Sequence, residues 1–154
     1  MRVYPAGVVV LACATPYDAN YRAQTTATMG TDVRVLGINP HMHQRGKSAE
    51  VSATYPDGHS EALLRVPNYD FNWQITYEPS GEPRLPAGTR VEAAAYYDNS
   101  PNNPYNPDPS KEVRWGDQTS DETMAVFMHL AIPAGMDPRT LYRRPSYPPK
   151  PSAE

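Results

Sequence analysis

Apolar and polar residues alternate with a period of two through several short stretches of this chain, and clusters of glycine, proline, asparagine and aspartate separate them. That is the pattern of half-buried β-strands joined by turns. Residues 8–13, 23–28 and 33–38 are the first expected strands, the second rich in the β-branched residues that favour a pleated surface. Residues 48–55 alternate into Pro56-Asp57-Gly58, whose Asp-Gly pair supplies a left-handed corner and predicts a hairpin with residues 60–66. The turn Leu85-Pro86-Ala87-Gly88-Thr89 leads into a strand over 90–97, and residues 125–132 form the last one. Many short strands with turn signals between them predict an all-β fold, an antiparallel jelly-roll β-sandwich.

Three stretches stand apart. In residues 68–77 alternation puts Tyr69, Phe71, Trp73, Ile75 and Tyr77 on one face, expected to join the core rather than to stack a cofactor. Residues 98–109 carry four prolines and almost nothing apolar, a loop longer than most connections in a compact domain. Its carboxylates, Asp98 and Asp108, lack the regular spacing of a calcium loop and read as turn formers. Beyond Pro133 the chain is too proline-rich to fold alone, so the expected organisation is one domain over 1–133 and a tail over 134–154, an extended strap or a disordered end.

Composition narrows the function classes. The 154 residues suffice for one domain with a proper core, and the net charge of −3 with no basic cluster argues against nucleic acid as a partner. No stretch approaches the roughly 20 apolar residues of a membrane span. Cys13 is the single cysteine, so no intramolecular disulfide forms and the redox compartment stays open. Residues 1–13 imitate an export signal, but the apolar run is only about six residues where roughly 7 to 15 are needed, and Pro5 interrupts its approach. A first buried strand is the better reading.

Candidate chemistry concentrates in Asn39-Pro40-His41-Met42-His43-Gln44-Arg45-Gly46-Lys47. Two of the four histidines stand here one residue apart at the end of an expected strand, so their imidazoles share a face while Met42 points the other way. Neutral imidazole suits copper, zinc, iron and nickel. A His-x-His pair alone is often accidental, and it gains weight only from its surroundings. Arg45 and Lys47 have the same parity as the histidines, and a cation beside a metal repels it, so the chain is expected to turn at Gly46 and Arg45 to pair with Asp121 or Glu122.

Those surroundings resemble a known family. His41-Met42-His43-Gln44-Arg45-Gly46-Lys47 is followed by Tyr55-Pro56-Asp57-Gly58 and Val66-Pro67-Asn68-Tyr69-Asp70-Phe71-Asn72-Trp73-Gln74. Then come Leu85-Pro86-Ala87-Gly88-Thr89, Tyr97-Asp98-Asn99-Ser100, Asn106-Pro107-Asp108-Pro109 and Trp115-Gly116-Asp117-Gln118-Thr119. In this order, over residues 23–133, the chain resembles the carboxy-terminal domain of the copper type II, ascorbate-dependent monooxygenases, most of all their bacterial branch. The resemblance implies a jelly-roll domain with one copper that binds dioxygen, held by a His-x-His pair and a methionine. The pair falls on His41 and His43.

The methionine of the family directly follows an acidic pair, whereas here Thr123 follows Asp121-Glu122 and Met124 comes one place later. Met124 is therefore the expected third metal ligand only if a bulge turns it to the histidine face. A thioether favours cuprous copper; without it the site needs water, a carboxylate or a third imidazole from His129 or His59. The family also draws electrons from a second copper, held by three histidines in an amino-terminal domain, for which this chain has no spare histidines. The resemblance thus implies part of a longer or two-part system in the periplasm or outside the cell. Copper would be its cofactor, ascorbate or a redox protein its reductant, and dioxygen and a small-molecule or peptide substrate its partners. Three functions stay open: a monooxygenase domain that hydroxylates an aliphatic carbon, a copper-binding module without that activity, and a non-catalytic jelly-roll domain for adhesion or sugar binding.

Overall fold

A computed structural model describes residues 2–10 and 14–143 of the chain. The strands are β1 (Arg2–Val10), β2 (Tyr21–Met29), β3 (Val33–Met42), β4 (Gly46–Thr54), β5 (Ser60–Val66), β6 (Arg84–Leu85), β7 (Arg90–Tyr97), β8 (Met124–Ile132) and β9 (Tyr142–Arg143). Among the described residues there is no α-helix, only a single 3-10 turn at Pro138–Thr140. The expected first strand starts earlier, at Arg2, and its residues 11–13 lie outside the described ones.

Pairing is nested. The hairpin β4·β5 sits innermost, with Thr54 opposite Ser60 across the predicted turn, and around it close β3·β6, β2·β7 and β1·β8, all antiparallel. A ribbon nested in this way and wrapped on itself gives two sheets, β1-β8-β3-β6 and β5-β4-β7-β2-β9. This is the jelly-roll sandwich the alternation predicts. Gly58 supplies the hairpin corner at φ 93°, a conformation closed to most side chains.

The inner faces bury alternate residues of β2, β3, β4, β7 and β8. Val35, Ile38 and Met42 of β3 and Met124, Val126, Met128 and Leu130 of β8 meet Val51 of β4 and Val91, Ala93 and Tyr97 of β7 in one core. Pro5 lies on the edge strand β1, where a missing N–H leaves no ladder partner unsatisfied. One expectation is corrected. The segment 68–77 is no core strand: Trp73 and Ile75 are exposed, and only Tyr69 and Tyr77 of its aromatic face pack on the core. Past Pro133 the chain runs on as a strap, with Leu141 buried in the core and Tyr142–Arg143 added to the edge of β2; the rest of the expected tail, 144–154, lies outside the described residues.

One end of the sandwich gathers the long connections. β3 ends beside the start of β8, with Met42 opposite Met124, and β7 ends beside β4, with Tyr97 opposite Gly46. Residues 43–45 and 98–123 both cross there from one sheet to the other.

Candidate metal centre

His41 is the penultimate residue of β3, and His43 begins the crossing to β4 through a turn closed by Gly46 N–H to His43 O at 3.1 Å. Their rings lie 5.3 Å apart, centroid to centroid, and nearly perpendicular at 84°. An ion bound at about 2.0–2.1 Å from each nitrogen lies roughly 3 Å from each centroid, so two imidazoles on one tetrahedral ion have centroids roughly 5 Å apart. The spacing fits a shared ion.

Hydrogen bonds fix which nitrogen of each ring carries the proton. His43 Nδ1 lies 3.2 Å from the backbone carbonyl of Asp121, which can only accept, so Nδ1 carries the proton. Gln74 donates its amide N–H to Phe71 O at 2.8 Å, which turns its carbonyl oxygen to His41 Nδ1 at 2.6 Å. That nitrogen is protonated too. In each ring Nε2 is then the nitrogen that carries the lone pair, and ligating histidines generally have their other nitrogen held in this way. Burial lowers the His43 pKa, and His41 beside it acts in the same direction, against the raising effect of the Asp121 carbonyl. The ring is neutral at pH 7.

Gln74 reaches the site because the loop after β5 runs along the free edge of β3. β6 covers β3 only at Val33 and Arg34. Further on, Ile38 exchanges both backbone hydrogen bonds with Tyr77, at 2.8 and 2.9 Å, and the Tyr69 hydroxyl accepts from Met42 N–H at 3.0 Å and donates to Met42 O at 2.7 Å. Pro40 has the same parity as Ile38 and Met42, so its missing N–H falls on this edge and no bond to β8 is lost. Phe71 of the loop stands 6.3 Å from His43, and Phe127 of β8 stands 6.5 Å from His41. These rings form apolar walls.

The expected third ligand is elsewhere. Met124 is 1% exposed, lies directly opposite Met42 on β8 and packs with it in the core, on the face of the sheet turned away from His41. No bulge rescues it: the ladder runs unshifted from Met124 to His129, and its irregularity lies between Val35 and Gly37. The thioether ligand is thus corrected to a core residue, for the parity reason that Thr123 holds the place before it. His129 pairs with Gly37, four residues from His41 and so about 13 Å along the strand. His59 stacks on Tyr55 and bonds Asp57 at the hairpin tip. Among the described residues no three His, Cys, Asp or Glu side chains gather to hold an ion.

Behind the pair lies a buried ionic clamp that sequence reasoning only touched. Glu122, fully buried, accepts His43 N–H at 3.0 Å on one oxygen and Arg45 N–H at 2.8 Å on the other. The Arg45 guanidinium, 3% exposed and 4.0 Å from Glu122, donates to Asn99 at 3.1 Å, to Asn106 at 2.9 Å and to Ser120 O at 2.8 Å. The expected pairing of Arg45 with a nearby carboxylate is met by Glu122. Burial raises the Glu122 pKa to about 7, against the two N–H donors and Arg45, which lower it. One clamp thereby fixes the histidine turn and the proline-rich loop together. Gly46 is needed there for closeness and not for its dihedrals, since a Cβ would come within 2.8 Å of Met42 Cβ and of the Tyr69 ring.

No family model and no curated protein matches this chain. Among solved structures it is similar to the infectious bursal disease virus VP2 subviral particle, at 13% identity and a TM-score of 0.36, over 94% of this chain and 37% of that one. A likeness so slight carries no argument. No helix among the described residues is long and apolar enough to cross a membrane.

Proposed function

We propose that this domain binds one copper ion through the Nε2 atoms of His41 and His43. The observation that carries the reading is that both Nδ1 atoms face oxygen acceptors, which leaves two lone pairs on rings 5.3 Å apart. Copper is preferred to zinc because divalent copper binds a nitrogen site more tightly and because the motif order resembles a copper family. Bound copper would supply one-electron redox chemistry and open coordination positions.

Of the two copper readings the geometry favours the binding module. Hydroxylation of an aliphatic carbon with dioxygen, ascorbate and an amino-terminal copper domain is the companion reading, and the core position of Met124 removes the soft ligand it calls for. Titration of the chain with copper, followed by electron paramagnetic resonance and calorimetry, tests the site. One ion with nitrogen hyperfine structure, lost in His41→Ala and in His43→Ala, is expected; full binding in both variants overturns the reading. Oxygen uptake by the copper-loaded protein with ascorbate separates the module from the monooxygenase.

A further inference from the structure

Next to the histidine corner, the turn 68–72 and the loop 102–105 enclose an open groove of about 760 Å³, within the range of roughly 300–1,000 Å³ usual for small-ligand sites. Its charged side chains are already engaged. Lys47 Nζ donates to Ala19 O at 3.2 Å and to Asn20 Oδ1 at 3.1 Å, Asp70 accepts from Asn72 N–H and Asp98 accepts from Ser100 N–H. What stays free is neutral: the side-chain amides of Gln44, Asn68 and Asn102 and the hydroxyl of Tyr105 make no hydrogen bond among the described residues. Two aromatic rings complete the lining, Tyr105 on one segment, 66% exposed, and Phe71 on the other.

We infer that this groove binds a neutral oligosaccharide. A planar amide offers a donor and an acceptor side by side, which suits adjacent sugar hydroxyls, and an exposed aromatic face suits the C–H face of a pyranose ring. A charged ligand would meet Lys47 and two carboxylates together, a mixture that favours neither sign. The walls are also set before binding: Asp98 N–H donates to Arg45 O at 2.8 Å, Asn103 donates to Asp98 O at 2.9 Å, and Arg45 holds Asn106. Little ordering entropy is therefore lost on binding. The inference is independent of copper; the two sites share the Phe71 wall and the supports Gln44, Gly46 and Tyr69 of the histidine turn.

The experiment titrates the chelator-treated full chain with cellohexaose, xylohexaose, maltohexaose and chitohexaose while backbone amide resonances are followed by NMR. At least one sugar is expected to shift Asn68, Asn102 and Tyr105 and to saturate. Tyr105→Ala, an exposed position that does not threaten folding, is expected to weaken that binding about tenfold, whereas Trp73→Ala, outside the groove, leaves it unchanged. The inference is overturned if none of the four sugars binds, if Tyr105→Ala leaves binding intact while Trp73→Ala removes it, or if tetramethylammonium shifts these resonances and the sugars do not.

Discussion

Tyr69→Phe removes a single oxygen, yet two backbone groups depend on it. The Tyr69 hydroxyl accepts from Met42 N–H at 3.0 Å and donates to Met42 O at 2.7 Å, and Met42, between the two histidines, is 1% exposed. Deleting one partner of a buried polar group costs about 1–3 kcal/mol. With two such groups bonded to one hydroxyl, about 2–3 kcal/mol is expected. For a chain of 154 residues this lowers Tm by roughly 6–9 °C, since the unfolding entropy of about 2.1 cal/mol/K per residue makes 1 kcal/mol worth roughly 3 °C. Calorimetry reads the shift, and hydrogen exchange of the Met42 amide, with Tyr105→Phe as an exposed control, locates it. An unchanged Tm together with full protection of the Met42 amide would refute the claim that loop side chains complete the edge of β3.

Gly46→Ala places a methyl within 2.8 Å of Met42 Cβ and the Tyr69 ring, so about 1–3 kcal/mol of destabilisation and weaker copper binding are expected by chemical denaturation and metal titration. Met124→Ala opens the core and costs about 2–5 kcal/mol, while its copper affinity should equal that of the unaltered chain in a competition titration; a loss of copper would return the thioether to the ligand set. Glu122 titrates near 4.5 when unfolded and at about 7 when folded, so the folded chain keeps a proton the unfolded one has released. The stability it adds is complete below about pH 4.5 and disappears as pH rises through about 7, a slope that denaturant midpoints should show and that Glu122→Gln should flatten. Copper affinity should fall on acidification, because protons compete for the imidazole lone pairs, and burial, which lowers the His43 pKa, should delay that competition at His43 in an NMR titration.

The strands were legible because their evidence is local. Residues 48–66 show it best: alternation sets the faces, Asp57-Gly58 sets the corner, and the pairing of Thr54 with Ser60 follows. His41 and His43 were legible for the same reason, since parity alone puts them on one face and Met42 on the other. Residues 68–77 show the limit of alternation. Their aromatic period of two is real, but after β5 the chain runs outside the sandwich along an edge, where Trp73 and Ile75 meet solvent. Period two describes a pleated backbone and does not say which layer it enters. Leu141 was missed because a single apolar residue in a proline-rich stretch makes no pattern, although the core receives it. The clamp of Arg45, Asn99, Asn106 and Glu122 joins residues from two connections that are far apart in the chain, and no local rule brings them together.

The histidine pair rests on two supports of different kind. An edge strand exposes unpaired backbone groups and invites association, so β3, left bare beyond Arg34 by the short β6, has to be covered. The loop 68–77 covers it with Tyr77 and Tyr69, and in doing so carries Phe71 to His43 and Gln74 to His41. The ring of His41 is therefore oriented by the segment that protects the edge. His43 is oriented from inside the sandwich, by Asp121 O on its ring and by Glu122 on its backbone, within the clamp that also orders residues 98–109. A change confined to the loop should reorient one imidazole and spare the other, and a change to the clamp should do the reverse. Gln74→Ala frees the His41 tautomer and leaves every contact of the clamp in place, so a site that needs both rings should keep His43 protected in NMR while its copper affinity falls. Loss of protection at both histidines would mean that the edge cover and the clamp form one cooperative unit.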